Sequence, residues 1–135
     1  MSNLRILGAA LVLACGAPFT ETASAAPHAV VTRLMSKDIA EMPSKEMLMI
    51  TVEYPPGSVD PVHRHDAYAF VYVLSGSIVM KVRGGKQVTL GPGQTFYEGP
   101  NDVHTVGRNA SKTKPAKFIA VFLKNKGVPV LLPAH

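Results

Sequence analysis

Past residue 25 the apolar positions come in short runs broken by glycine, proline and serine, which predicts many brief strands. Met47 to Tyr54 (MLMITVEY) is rich in strand formers and stops at Pro55-Pro56-Gly57. Phe70 to Leu74 (FVYVL) is continuously apolar, the pattern of a strand buried on both faces, and Ser75-Gly76 ends it. In the next stretch Ile78, Met80 and Val82 alternate with Ser77, Val79 and Lys81. Gly84-Gly85 predicts a hairpin turn into a strand at Gln87 to Leu90, and Gly91-Pro92-Gly93 predicts another turn. Further strands are predicted over Thr95 to Tyr97, Val103 to Arg108 and Lys117 to Leu123. Only Lys37 to Met42 hints at a helical turn. Strands so closely spaced predict an all-β sandwich or barrel. The final GVPVLLPAH is apolar and proline-rich and is expected to lie extended against a surface.

The opening of the chain has another pattern. Arg5 gives a positive start, Ile6 to Ala14 form an apolar run, and Ala23-Ser24-Ala25 offers small residues for cleavage. Residues 1–25 therefore read as a secretory signal peptide, with a single domain over 26–135 in the periplasm or secreted. A lipoprotein cut before Cys15 is the alternative, although Leu13 stands where a small residue is usual. The apolar run falls short of the roughly 20 residues that span a bilayer, so no stable membrane insertion is expected. Cys15 is the one cysteine of the 135 residues, and its removal excludes disulfide and thiolate chemistry from the domain. The formal net charge is +5. The basic residues from Arg108 through Lys112, Lys114, Lys117, Lys124 and Lys126 read as a solvated face, and no nucleic-acid partner is expected.

Candidate chemistry centres on PVHRHDAYAF, residues 61–70. Side chains at i and i+2 of a strand point the same way, so His63 and His65 can grip one metal ion. Ala69 extends the same row and binds nothing. Gly57 precedes His63 by five intervening residues, Gly76 follows Ala69 by six, and in GQTFYEGPNDVHTVGRN, residues 93–109, Gly93 leads to His104 eleven residues on. Here the chain resembles the cupin superfamily, over roughly Glu46 to Leu123. The first cupin motif, G(x)5HxH(x)3–4E(x)6G, is matched by Gly57, His63, His65 and Gly76, with Ala69 in the glutamate place. The second, G(x)5PxG(x)2H(x)3N, is matched by Gly93 and His104. Gly99, Asn101 and Arg108 replace its proline, glycine and asparagine, and Pro100 and Asn109 follow one residue late.

The resemblance implies a jelly-roll-like antiparallel double-sheet β-barrel holding one divalent metal, with His63, His65 and His104 carried over as ligands. Iron, zinc, manganese and nickel are not distinguished. The glutamate is not carried over. Either three imidazoles and water form the shell, or Glu98 contributes: if Phe96 faces the core, Glu98 faces it too, as ligand or as partner of a histidine; if Tyr97 faces inward, Glu98 is a solvated rim residue. Tyr68 and Tyr72 have packing as their plainer role over a place in the cavity. Met47 and Met49 share a strand face, and packing is again the plainer role. Arg64 and Asp66 are expected to pair on the outer surface, and His28 and His135 to lie far from the metal.

The leading functional expectation is a small exported metalloenzyme acting on a small organic molecule, with a lean toward a dioxygenase over a lyase or isomerase. A non-catalytic periplasmic protein that binds a metal or small ligand is the alternative, and a structural metal is the third reading. A homodimer is expected, with the tail from Val128 to Leu132 covering a neighbour's sheet edge; the counter-reading has the tail closing its own barrel.

Overall fold

The computed structural model describes residues 25–134. Residues 1–24 of the expected leader, Cys15 among them, and His135 lie outside the described residues. The described chain forms ten strands: β1 (Val30–Ile39), β2 (Met42–Tyr54), β3 (His63–Arg64), β4 (Ala67–Ser75), β5 (Ile78–Val82), β6 (Val88–Leu90), β7 (Thr95–Glu98), β8 (His104–Asn109), β9 (Ala116–Asn125) and β10 (Leu132–Pro133). They make two five-stranded sheets, ordered β1-β2-β9-β4-β7 and β10-β3-β8-β5-β6. Every pairing is antiparallel. The fold is the all-β double-sheet barrel the sequence predicted.

Period-two alternation fills the space between the sheets. Leu48, Ile50, Val52 and Tyr54 of β2, Ala67, Ala69, Val71 and Val73 of β4, and Phe118, Ala120 and Phe122 of β9 all point inward. Ile78 and Met80 of the second sheet meet them. The hairpin at Gly84-Gly85 joins β5 to β6 as predicted.

Four expectations need correction. Lys37 to Met42 is not helical: β1 runs on to Ile39, where pairs such as Lys37 with Met47 hold it to β2 and override any local preference. The run Phe70 to Leu74 is buried on one face only. Phe70, Tyr72 and Leu74 are exposed, because this sheet has one face on the core and the other in solvent. Tyr68 and Tyr72 accordingly point away from the cavity, and Met47 and Met49 flank the inward-facing Leu48 and Ile50 on the partly exposed face of β2. The tail, finally, closes its own barrel: Leu132 pairs with Arg64 and Pro133 with His63. The expected Arg64–Asp66 surface pair does form.

Gly76, in the turn between β4 and β5, shows how tightly the barrel end is built. Its φ is +70°, and an added Cβ would lie 2.4 Å from the Pro115 carbonyl oxygen and 2.7 Å from the Ala116 Cα. Gly84 has φ +78° with nothing within 4 Å of such a Cβ. Gly84→Ala is expected to cost ~1 kcal/mol, the left-handed penalty alone. Gly76→Ala is expected to cost about 3 kcal/mol or more, since backbone must also move. Urea unfolding of the two variants measures the difference.

Candidate metal centre

His63, His65 and His104 converge between the sheets, each offering a ring nitrogen within 4.8 Å of the others. His63 and His104 are cross-strand partners on β3 and β8, so one sheet presents them side by side, with ring centroids 4.8 Å apart. His65 follows β3 directly and reaches the same point, its ring 4.7 Å from that of His63. His63 and His104 are 3% exposed and His65 9%. His28 is exposed and stands apart from this group.

Hydrogen bonds fix which nitrogens face inward. The Nδ1 of His63 lies 2.8 Å from the Pro61 carbonyl oxygen, and that of His65 lies 2.5 Å from the Val130 carbonyl oxygen. A carbonyl only accepts, so both Nδ1 atoms carry the proton and both neutral rings present a bare Nε2. Those two Nε2 atoms are 3.2 Å apart. Two lone pairs at this distance repel unless a cation stands beside both, and the separation suits two bonds of about 2.0–2.1 Å to one ion. A proton shared between them is disfavoured, since burial, followed by the charge of nearby His63, pushes His65 down to about 4.

The opposing sheet supplies the carboxylate. Ala69 on β4 and Glu98 on β7 are directly paired, and both point into the cavity at 1% and 2% exposure. Phe96 is partly buried against the core, so the parity that turns Glu98 inward is the one that obtains. Its Oε1 lies 3.3 Å from His104 Nδ1 and its Oε2 3.8 Å from His65 Nε2. The glutamate place left empty at Ala69 thus stands beside a carboxylate one strand away.

Charge within the cavity is unbalanced. Glu98 and Asp60 line it, and among the described residues no lysine or arginine does. Burial first, then the negative charges of Asp102 and Asp60, pushes Glu98 up to about 7. Burial also pushes His104 down to about 4, with His63 adding to the effect. Among the described residues Glu98 Oε2 and both ring nitrogens of His104 are buried without a hydrogen-bond partner. A divalent ion would give the carboxylate oxygen and one of those nitrogens the partner they lack, so the donor set fits one.

The second motif's late asparagine is also accounted for. Lys81 pairs with Val106 but Val82 pairs with His104, so Thr105 is a bulge residue. The bulge absorbs the extra position and turns Asn109 inward, where its amide donates to the carbonyls of Tyr54, Pro55 and Lys114. Two cavity residues escaped the sequence reading. Tyr54 shares the inward parity of Ile50 and Val52, a signal that was available; Asp60, in an irregular loop, offers none.

The family model described as "Cupin domain" matches residues 50–122. The chain belongs to the cupin family. Solved structures similar to this cupin include a protein with a double-stranded β-helix domain from Klebsiella pneumoniae, at TM-score 0.63 and 16% identity over 82% of this chain and 90% of that one. A DMSP lyase from Ruegeria pomeroyi aligns at TM-score 0.56 and 20% identity, over 62% of this chain and 41% of the lyase. An oxalate oxidase in complex with glycolate aligns at TM-score 0.56 and 26% identity, over 76% of this chain and 54% of the oxidase. This cupin therefore spans only about half, or less, of the length of those two enzymes. No curated protein sequence matches it.

The shifted groups give the metal-free protein a defined pH response. Glu98 titrates in the folded state near 7, above its ordinary 4.5, so its favourable contribution is complete below pH 4.5 and is lost as the pH rises to 7. His65 and His104 titrate near 4, below their ordinary 6.5, so their contribution holds above pH 6.5 and is lost as the pH falls to 4. Glu98→Gln should therefore raise the melting temperature of chelator-treated protein by several degrees at pH 8 and leave it nearly unchanged at pH 4.5. Differential scanning calorimetry at the two pH values checks this.

Proposed function

We propose that this cupin holds one divalent metal ion through His63, His65 and His104, with Glu98 as the fourth donor, and acts on a small organic molecule. The observation that carries the reading is the pair of bare Nε2 atoms of His63 and His65, 3.2 Å apart. The unpartnered Glu98 Oε2, 3.8 Å from His65 Nε2, supports it. When bound, the ion supplies Lewis acidity and, for a redox metal, electron transfer. The chain's own residues do the rest. The carbonyls of Pro61 and Val130 hold the two imidazoles in the metal-facing tautomer. Glu98 offsets part of the ion's charge, and the apolar walls from Val52, Val71 and Phe118 limit water.

A dioxygenase is the reaction class we favour, because a redox metal among histidines in an apolar cavity suits it. The competing reading is a barrel that captures a metal or ligand without turnover. Glu98 and Asp60, acidic groups in the cavity beside the histidines, favour turnover over capture. Elemental analysis of purified protein, with oxygen uptake on phenols and diketones, separates the two. Bound metal with uptake is the expected result, and loss of metal in His104→Ala is required. Metal without turnover on any probe would leave the binding protein.

The assignment extends to export and assembly. Residues 1–25 are proposed to be removed outside the cytoplasm. Two copies are proposed to meet at the free edge of β7, beside the exposed Phe70, Tyr72 and Tyr97. Intact mass and light scattering on periplasmic protein should give a chain starting near Ala26 and a particle of twice its mass. A retained leader, a lipid on Cys15, or a monomer would contradict the corresponding part.

A further inference from the structure

The cavity has a volume of about 150 Å³. Most of its lining is apolar, with residues such as Ile50, Val52, Val71 and Phe118. Its polar lining is Asp60 and Tyr54 together with the three histidines and Glu98. A cavity of about 150 Å³ with apolar walls takes a molecule the size of benzene.

Asp60 and Tyr54 are placed with care. Tyr54 is 1% exposed, packs edge-on against Phe118 and donates its hydroxyl to Asp60 Oδ2. The backbone N–H of Asp60 donates to the Gly107 carbonyl at 2.8 Å, and Val59 bridges to Arg108, so this loop is stitched to β8 just beyond His104. Gly107 lies outside the positive-φ glycines, so its backbone is open to any residue. Its requirement is space: a Cβ there would lie 3.0 Å from Asp60 Oδ2, 3.1 Å from His104 Cε1 and 3.1 Å from Tyr54 Oη. Glycine lets the acid, the phenol and the histidine converge with no side chain between them. Among the described residues Tyr54 is the one side chain that bonds the Asp60 carboxylate, and it leaves Oδ1 without a side-chain partner.

We infer that Asp60, held in place by Tyr54, is the hydrogen-bonding station for the ligand. The ligand is then a compact molecule of about benzene's size, with an apolar body and a hydroxyl donor next to the atom that the metal takes. This rests on the metal reading above. The hydroxyl donates to Asp60 Oδ1 while the apolar body lies against Val52 and Val71. The same acids discriminate: a small dianion would place its second carboxylate against Asp60 and Glu98, with no lysine or arginine among the described residues lining the cavity to answer it.

The test is titration of cobalt(II)-loaded protein with catechol and with oxalate, read by the visible cobalt absorption. Catechol has the apolar ring and the adjacent hydroxyl; oxalate is a chelator without either. Wild type should bind catechol more tightly than oxalate. Asp60→Asn should take up cobalt yet bind catechol about tenfold more weakly, the loss of a charge-assisted hydrogen bond. Tyr54→Phe, which removes only the hydroxyl, should weaken it several-fold, and Val52→Phe should block catechol by filling the apolar wall. Catechol affinity unchanged in both Asp60→Asn and Tyr54→Phe, or oxalate bound more tightly than catechol, would overturn this proposal and leave the metal site standing. Failure of wild type to take up cobalt would overturn both.

Discussion

Buried acid without a basic partner is the constraint on which this structure turns. Glu98 and Asp60 face a cavity that no lysine or arginine lines among the described residues, and burial keeps His65 and His104 from carrying a proton at neutral pH. An ionised carboxylate in such a place is costly unless a cation answers it. Elsewhere the barrel follows that rule with its own residues: Lys124, 3% exposed, meets Glu46 at 2.6 Å. At the histidines no lysine or arginine among the described residues does so, and a metal ion is the cation whose chemistry fits the donors that remain.

The two sheets divide the work of building this site. The sheet with β3 and β8 sets His63 opposite His104, and the tail behind β3 closes over His65 through the Val130 carbonyl. The sheet with β4 and β7 sets Ala69 opposite Glu98. Cross-strand partners have Cβ atoms about 4.5–5.5 Å apart on one face, within the reach of a glutamate side chain. A carboxylate can therefore be exchanged between these two positions while it still approaches the same histidines. Alanine at 69 is then part of the arrangement, because it leaves room for the carboxylate that arrives from β7.

Much of this was legible in the sequence, for identifiable reasons. The core strands alternate with period two and end at glycine or proline, and the histidine spacing resembles a known family closely enough to single out the three histidines that converge. The inward turn of Glu98 hung on the parity of Phe96, which a single sequence leaves open and the pairing of β7 with β4 decides. Strand β1 was missed because VVTRLMSKDI is mostly exposed on both faces and shows no alternation. The bond from His65 to Val130 joins residues 65 apart, and the bulge at Thr105 depends on pairing with β5. Neither leaves a local trace.

Metal affinity in a positional exchange shows whether Glu98, one strand across from Ala69, serves as the carboxylate of this site. The comparison is between wild type, Glu98→Ala and the double variant Ala69→Glu with Glu98→Ala, each titrated with zinc against a chelator. Glu98→Ala is expected to weaken zinc binding by tenfold or more, and the double variant to return to within a few-fold of wild type. Wild-type affinity in Glu98→Ala, or a double variant no tighter than Glu98→Ala alone, would contradict that role.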